Sequence, residues 1–139
     1  MPISLTRRIA FAAAHRYRVA AWSDERNAAT FGLCARPNYH GHSYTCDVTV
    51  TAPLDPVTGF VVDLGVLDAA LQREVRDRFD HANINLDIPE FADGLMMPTG
   101  ENLARFIAER VQAAIGGAAQ ITRVTVAEDA TLSATYEPD

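Results

Sequence analysis

Apolar and polar residues alternate with a period of two at the start of the chain. Ile3, Leu5, Ile9 and Phe11 share one side with Arg7, and Ser4, Thr6, Arg8 and Ala10 take the other. This period marks a half-buried strand, and it runs on through three alanines, so that His15 falls at the strand's end. Alternation returns from Ser43, with Tyr44, Cys46, Val48 and Val50 on one face and Thr45, Asp47, Thr49 and Thr51 on the other. The second strand lies antiparallel to the first if the connection between them folds back. Residues 17–39 carry no sustained period, and long unpatterned connections in compact domains tend to hold function.

Beyond the turn Leu54–Gly59 and a short extended piece, Phe60–Asp63, the period changes to that of a helix. Leu64, Leu67, Leu71, Val75 and Phe79 recur at spacings of three and four, and Asp63 is placed to cap the first turn. A polar loop from Asp80 to Asn85 and a segment with two prolines, 86–98, separate this helix from a second. Thr99 caps the second helix, Glu101 favours its positive end, and Leu103, Phe106, Ile107, Val111 and Ile115 form its stripe before Gly116-Gly117 stop it. Two more strands follow, Ile121–Glu128 and Thr131–Tyr136. The order β-β-α-α-β-β predicts an α+β layer, a four-stranded antiparallel sheet with two helices on one face. No repeat or boundary interrupts the 139 residues, so one domain over 1–139 is expected.

Charge adds an asymmetry to this outline. The net charge is −6, which argues against nucleic acid as a general partner. All twelve basic residues are arginine, and the first forty positions hold six of them against only Asp24 and Glu25. Arginine's planar fork suits phosphate oxygens, so an anionic ligand near the N-terminal third fits the distribution, as a plain solvated basic face does. The apolar run Ile9–Ala14 is short of the roughly 7–15 residues of a secretory signal. No stretch approaches the 18 or so apolar residues of a membrane span. Two cysteines in unlike surroundings make no disulfide framework. A soluble, unprocessed cytoplasmic protein is expected.

The candidate chemistry concentrates in Cys34–Tyr44. On an extended segment, His40 and His42 point to one face and can lean onto one zinc ion. Pro37-Asn38 turn the chain between the thiol and this pair. Two further histidines stand at His15 and at His81, beside Asp80. A catalytic zinc takes three protein ligands and keeps one position open, which four histidines can supply in more than one way. Glu128 ends an apolar row, where a carboxylate needs a partner, whereas Cys46 in its own apolar row reads as an inert core residue.

Phe11-Ala-Ala-Ala-His15, Cys34-x5-His40-Gly-His42-x-Tyr44, Gly59-Phe-Val-Val-Asp63-Leu, Asp80-His81-x-Asn83, Pro98-Thr-Gly-Glu-Asn-Leu-Ala104 and Glu128 occur in this order. Together, over nearly the whole chain, they resemble the 6-pyruvoyltetrahydropterin synthase and 6-carboxytetrahydropterin synthase family. The resemblance implies a tunnelling fold, in which three subunits close their sheets into a barrel and two trimers stack as a hexamer with active sites between subunits. It implies Zn2+ on His15, His40 and His42, Cys34 as the base with Asp80 and His81 as relay, and Glu128 holding the pterin. Thr99 and Glu101 would assist that anchoring. The implied substrate is 7,8-dihydroneopterin triphosphate. Five residues separate Cys34 from His40, as in the pyruvoyl-forming branch, so elimination of triphosphate to 6-pyruvoyltetrahydropterin is expected. The alternative is the carboxy-forming reaction of the queuosine and deazapurine pathway, which releases acetaldehyde as well. A zinc-binding scaffold with Cys34 as a fourth ligand is the non-enzymatic rival; it would lose metal on Cys34→Ala.

Overall fold

Two long strands carry the architecture. In the computed structural model, which describes residues 3–139, β1 (Ser4–His15) pairs antiparallel with β2 (His40–Thr51) along their full lengths, Ser4 opposite Thr51 and His15 opposite His40. The register follows from the two sequence patterns, because Phe11, Ala13 and His15 must share a buried face with Tyr44, Cys46, Val48 and Val50. Each fully buried aliphatic or aromatic side chain in such a row stabilises by roughly 1.5–3 kcal/mol. Arg7 sits in the same row and is matched by a bidentate pairing to Asp68 at 2.8 and 3.0 Å.

The sheet has five strands rather than four, in the order β3-β1-β2-β4-β5. The third, β3 (Ala82–Asn83), is two residues long and runs parallel to β1, which makes the sheet mixed. No two-residue strand can show a period, and this one is held from outside itself. Asp80 Oδ1 accepts from the Ala12 N–H at 2.9 Å, and the His81 N–H donates to the Ala12 carbonyl at 2.6 Å. The extended piece expected at Phe60–Asp63 does not join the sheet. β4 (Gln120–Asp129) and β5 (Leu132–Tyr136) complete it antiparallel, each within a residue of the expected bounds.

Among the described residues three helices of two turns or more fill the connections, one more than the periodicity showed, and a single turn, Ile84–Asp87, follows β3. The helix α1 (Asp24–Phe31) lies in the unpatterned segment, capped by Ser23, whose side chain accepts from the Arg26 N–H at 3.1 Å. Its buried Asn27 anchors the preceding loop through the backbone of Val19, accepting at 2.8 Å and donating at 3.1 Å. The helix α2 begins as Leu64–Leu71 behind its Asp63 cap, widens through a π turn at Gln72–Arg76, and closes with Asp77–Phe79. The helix α3 (Gly100–Ile115) buries the whole expected stripe and ends at Gly116, with φ of 56°, a left-handed value that glycine adopts freely.

One sheet face packs on these helices around Phe11, Phe79, Phe91 and Phe106. The other face buries no side chain of β1, β2 or β4 and is tied by cross-strand polar pairs, Thr6 with Thr49 and Arg8 with Asp47. Among the described residues no helix is long and apolar enough to cross a membrane.

Candidate metal centre and adjoining cleft

The strand pairing that aligns the core also assembles the site. His15 and His40 are direct cross-strand partners, and His42 follows two residues along β2 on the same face. One ligand atom from each of the three lies within 4.8 Å of the others. Their rings meet edge to face, with centroids 4.6, 5.1 and 5.0 Å apart. Gly41 between the pair carries no side chain on the opposite face, where a Cβ would stand 3.5 Å from the Ala13 carbonyl.

Burial sets the protonation. His15 is fully buried, which pushes its pKa down to about 4, and burial followed by its neighbour His42 lowers that of His40. His15 Nδ1 lies 2.8 Å from the Pro98 carbonyl, which only accepts, so Nδ1 carries the proton and Nε2 keeps its lone pair. His42 Nε2 is buried without any hydrogen-bond partner. Three imidazoles whose ligand atoms converge, one of them an orphaned buried nitrogen, are the donor set that a divalent metal requires. The three histidines fit a metal ion.

Beside them opens a cleft of about 250 Å³ lined by Tyr17, Thr99, Gly100, Glu101, Val126 and Glu128, among others. Thr99 caps α3, its hydroxyl accepting from the Asn102 N–H at 3.2 Å, so the first turn of α3 forms one wall. Glu128 stands between cleft and histidines. Its Oε1 accepts from the Tyr17 hydroxyl at 3.0 Å, and its Oε2 lies 3.7 Å from His42 Nε2. Cys34 sits half-buried in a 3-10 turn, Gly32–Ala35, whose Cys34 carbonyl accepts from the Tyr17 N–H at 2.8 Å. Burial, and then Glu128, push its thiol up.

Comparison with known proteins identifies the family. Residues 4–139 match the family model described as 6-pyruvoyl tetrahydropterin synthase. The chain belongs to that family. The human 6-pyruvoyl tetrahydrobiopterin synthase is 41% identical over 108 residues, 78% of this chain and 73% of that protein. The solved structure of Caenorhabditis elegans 6-pyruvoyl tetrahydropterin synthase superposes with a TM-score of 0.92 at 30% identity, covering 100% of this chain and 97% of that one. A Bacillus subtilis 6-carboxy-5,6,7,8-tetrahydropterin synthase is 36% identical over only 84 residues, 59% of this chain and 53% of that protein.

Within this 6-pyruvoyl tetrahydropterin synthase family member, the expected site residues divide into two places. His15, His40, His42, Cys34, Glu128, Thr99 and Glu101 gather around the cleft. Asp80 and His81 do not join them. They precede β3 at one edge of the sheet, whereas Glu128 is on β4, three strand spacings away, on the order of 14 Å. The His81 side chain is 86% exposed, with Nδ1 3.2 Å from Asp80 Oδ2, and its backbone holds φ of 60°.

The Ala12 N–H is the main cause holding the Asp80 carboxyl below its ordinary value of 3.8, with His81 a lesser one. A depressed folded pKa adds stability that is present above the unfolded value and is lost as pH falls through the folded one. The melting-temperature gap between wild type and Asp80→Ala is therefore expected to be widest near neutral pH and to narrow below pH 3.8. A gap independent of pH would show that the carboxylate's charge plays no part.

Tyr17 is the site residue that periodicity missed, because it lies in the connection after β1. The signal available was its spacing: two residues beyond His15, it falls on the same face if the extended backbone continues.

Proposed function

We propose that this protein is a zinc-dependent lyase that eliminates triphosphate from 7,8-dihydroneopterin triphosphate to give 6-pyruvoyltetrahydropterin. The observation that carries this reading is the convergence of three histidines, one with an unpartnered nitrogen, beside a cleft walled by Glu128. His15, His40 and His42 would hold the metal, which supplies Lewis acidity to an oxygen of the substrate's side chain.

The protein's own groups have separable tasks. Glu128 accepts hydrogen bonds from the amide N–H and exocyclic amine of the pterin, which orients the ring in the cleft. The capped first turn of α3, with Thr99 and Glu101, bounds the ring's other side. Cys34, as thiolate, removes a proton from a side-chain carbon, and the electron pair left behind moves along the chain to expel the triphosphate. Asp80 and His81 relay protons, so that the two hydrogens of the CH–OH group next to the ring end on ring N5 and C6 and leave a carbonyl. The enol left by loss of triphosphate is protonated at its terminal carbon and becomes the second carbonyl. Because Asp80 and His81 lie three strand spacings from Glu128, they would serve the cleft of a neighbouring copy, as in a hexamer built from two trimers. Both cysteines are free thiols, in keeping with a reducing cytoplasm.

The test is incubation of the zinc-loaded protein with 7,8-dihydroneopterin triphosphate and identification of the products. Triphosphate is expected together with a pterin that retains all three side-chain carbons. Acetaldehyde appearing in step with triphosphate would move the protein to the carboxy-forming branch. Unchanged substrate at full zinc loading would refute the lyase reading.

A further inference from the structure

Glu128 occupies a position that two ligands can claim. Two donors about 2.0–2.1 Å from one zinc at a tetrahedral angle are roughly 3.3 Å apart. The Glu128 carboxylate already lies 3.7 Å from His42 Nε2 and 4.0 Å from His15 Nε2. A small rotation of the side chain would bring it to the metal's fourth position, the one a substrate oxygen needs. One direct hydrogen bond opposes that rotation, the 3.0 Å bond from the Tyr17 hydroxyl to Oε1.

Tyr17 is itself well fixed. Its N–H is bound to the Cys34 carbonyl, and its ring stands edge-on to His15 at 4.9 Å and to Phe31 at 5.9 Å. The hydroxyl therefore has a defined place from which to hold the carboxylate, and the same side chain lines the cleft.

We propose that Tyr17 is a positioning residue whose hydroxyl keeps Glu128 as part of the cleft wall and off the open position of the metal. Glu128 thereby remains available to the pterin, and the fourth position remains available to substrate. The inference rests on the pterin reading for its effect on ligand binding. The effect on the metal does not depend on that reading.

Cobalt(II) in place of zinc reports coordination through its visible spectrum, and 7,8-dihydroneopterin binding is followed by its fluorescence. Tyr17→Phe keeps the ring and removes only the hydroxyl. In the cobalt-loaded variant, Glu128 is expected to take the fourth position in place of solvent, shifting the visible bands of the four-coordinate ion. The double variant Tyr17→Phe, Glu128→Gln should regain the wild-type spectrum. Pterin affinity of Tyr17→Phe should fall about tenfold, the size of one lost hydrogen bond to a charged group. KM should rise in step and kcat should change less.

A wild-type spectrum in Tyr17→Phe, or a spectral change that survives in the double variant, would overturn the proposal. So would a loss confined to kcat, which would place Tyr17 at the reacting atoms. If the wild-type protein binds no pterin, the lyase reading falls and the cobalt spectra alone decide the role of Tyr17.

Discussion

Replacing His40 and His42 together with alanine is expected to leave zinc below roughly one-tenth of an equivalent per chain and to abolish turnover, since a catalytic zinc needs three protein ligands. The expectation follows from how the site is built. His15 alone is buried, neutral and already bonded to Pro98 through Nδ1, so a single imidazole would remain. The fold should survive, because His40 and His42 begin β2 and neither belongs to the core that extends from Tyr44 to Val50. Metal analysis after dialysis, with circular dichroism to check folding, reads the result. Full zinc occupancy in the double variant would place the metal elsewhere. Chelation of the wild-type protein should reproduce the loss, and added zinc should reverse it.

Cys34→Ala is expected to fold, to retain zinc and to lose turnover by about 10²–10⁴, the usual range for a general base. Burial and Glu128 raise the thiol's pKa in the metal-free chain, and a divalent cation close by acts in the opposite sense. The thiol is therefore expected to become reactive only in the loaded protein. Alkylation rates of apo and zinc forms, compared at one pH, give a second readout. Cys46 provides the control, because it is wholly buried and its pKa is pushed up to about 12. An inactive Cys46→Ala beside an active Cys34→Ala would exchange the two assignments. Loss of zinc in Cys34→Ala would make the thiol a ligand.

Much of this arrangement was legible in the chain, for identifiable reasons. The alternation around Tyr44–Val50 and the stripe Leu103–Ile115 express burial on one face, which is a periodic demand, and both are buried as expected. The histidines could be placed because they end or begin such periodic segments. What escaped was set by single polar contacts with no period. The strand β3 exists because Asp80 reaches Ala12. The helix α1 has a weak apolar face, although Ser23-Asp24-Glu25 is a capping sequence that announces it. Tyr17 acquires its role only when a fold brings Glu128, 111 residues later, to its hydroxyl.

The π turn in α2 has a consequence for chain length. Leu67, Leu71, Val75 and Phe79 are spaced four apart, and in an α-helix each such step drifts about 40° around the axis. The wider turn at Gln72–Arg76 winds less per residue and returns Val75 and Phe79 to the core, where both are fully buried. Deleting one residue from Gln72–Arg76 would remove the wide turn and restore uniform winding, leaving the residues after it on nearly the same face. Inserting one residue would instead turn everything after it by about 100°, taking Phe79 from the cluster of Phe11, Phe91 and Phe106 and Asp80 from its reach to Ala12. Substitutions on the exposed side of this segment leave the winding intact, whereas an added residue breaks it. The spare residue that the wide turn absorbs is a structural quantity in its own right, set by where Val75 and Phe79 must point.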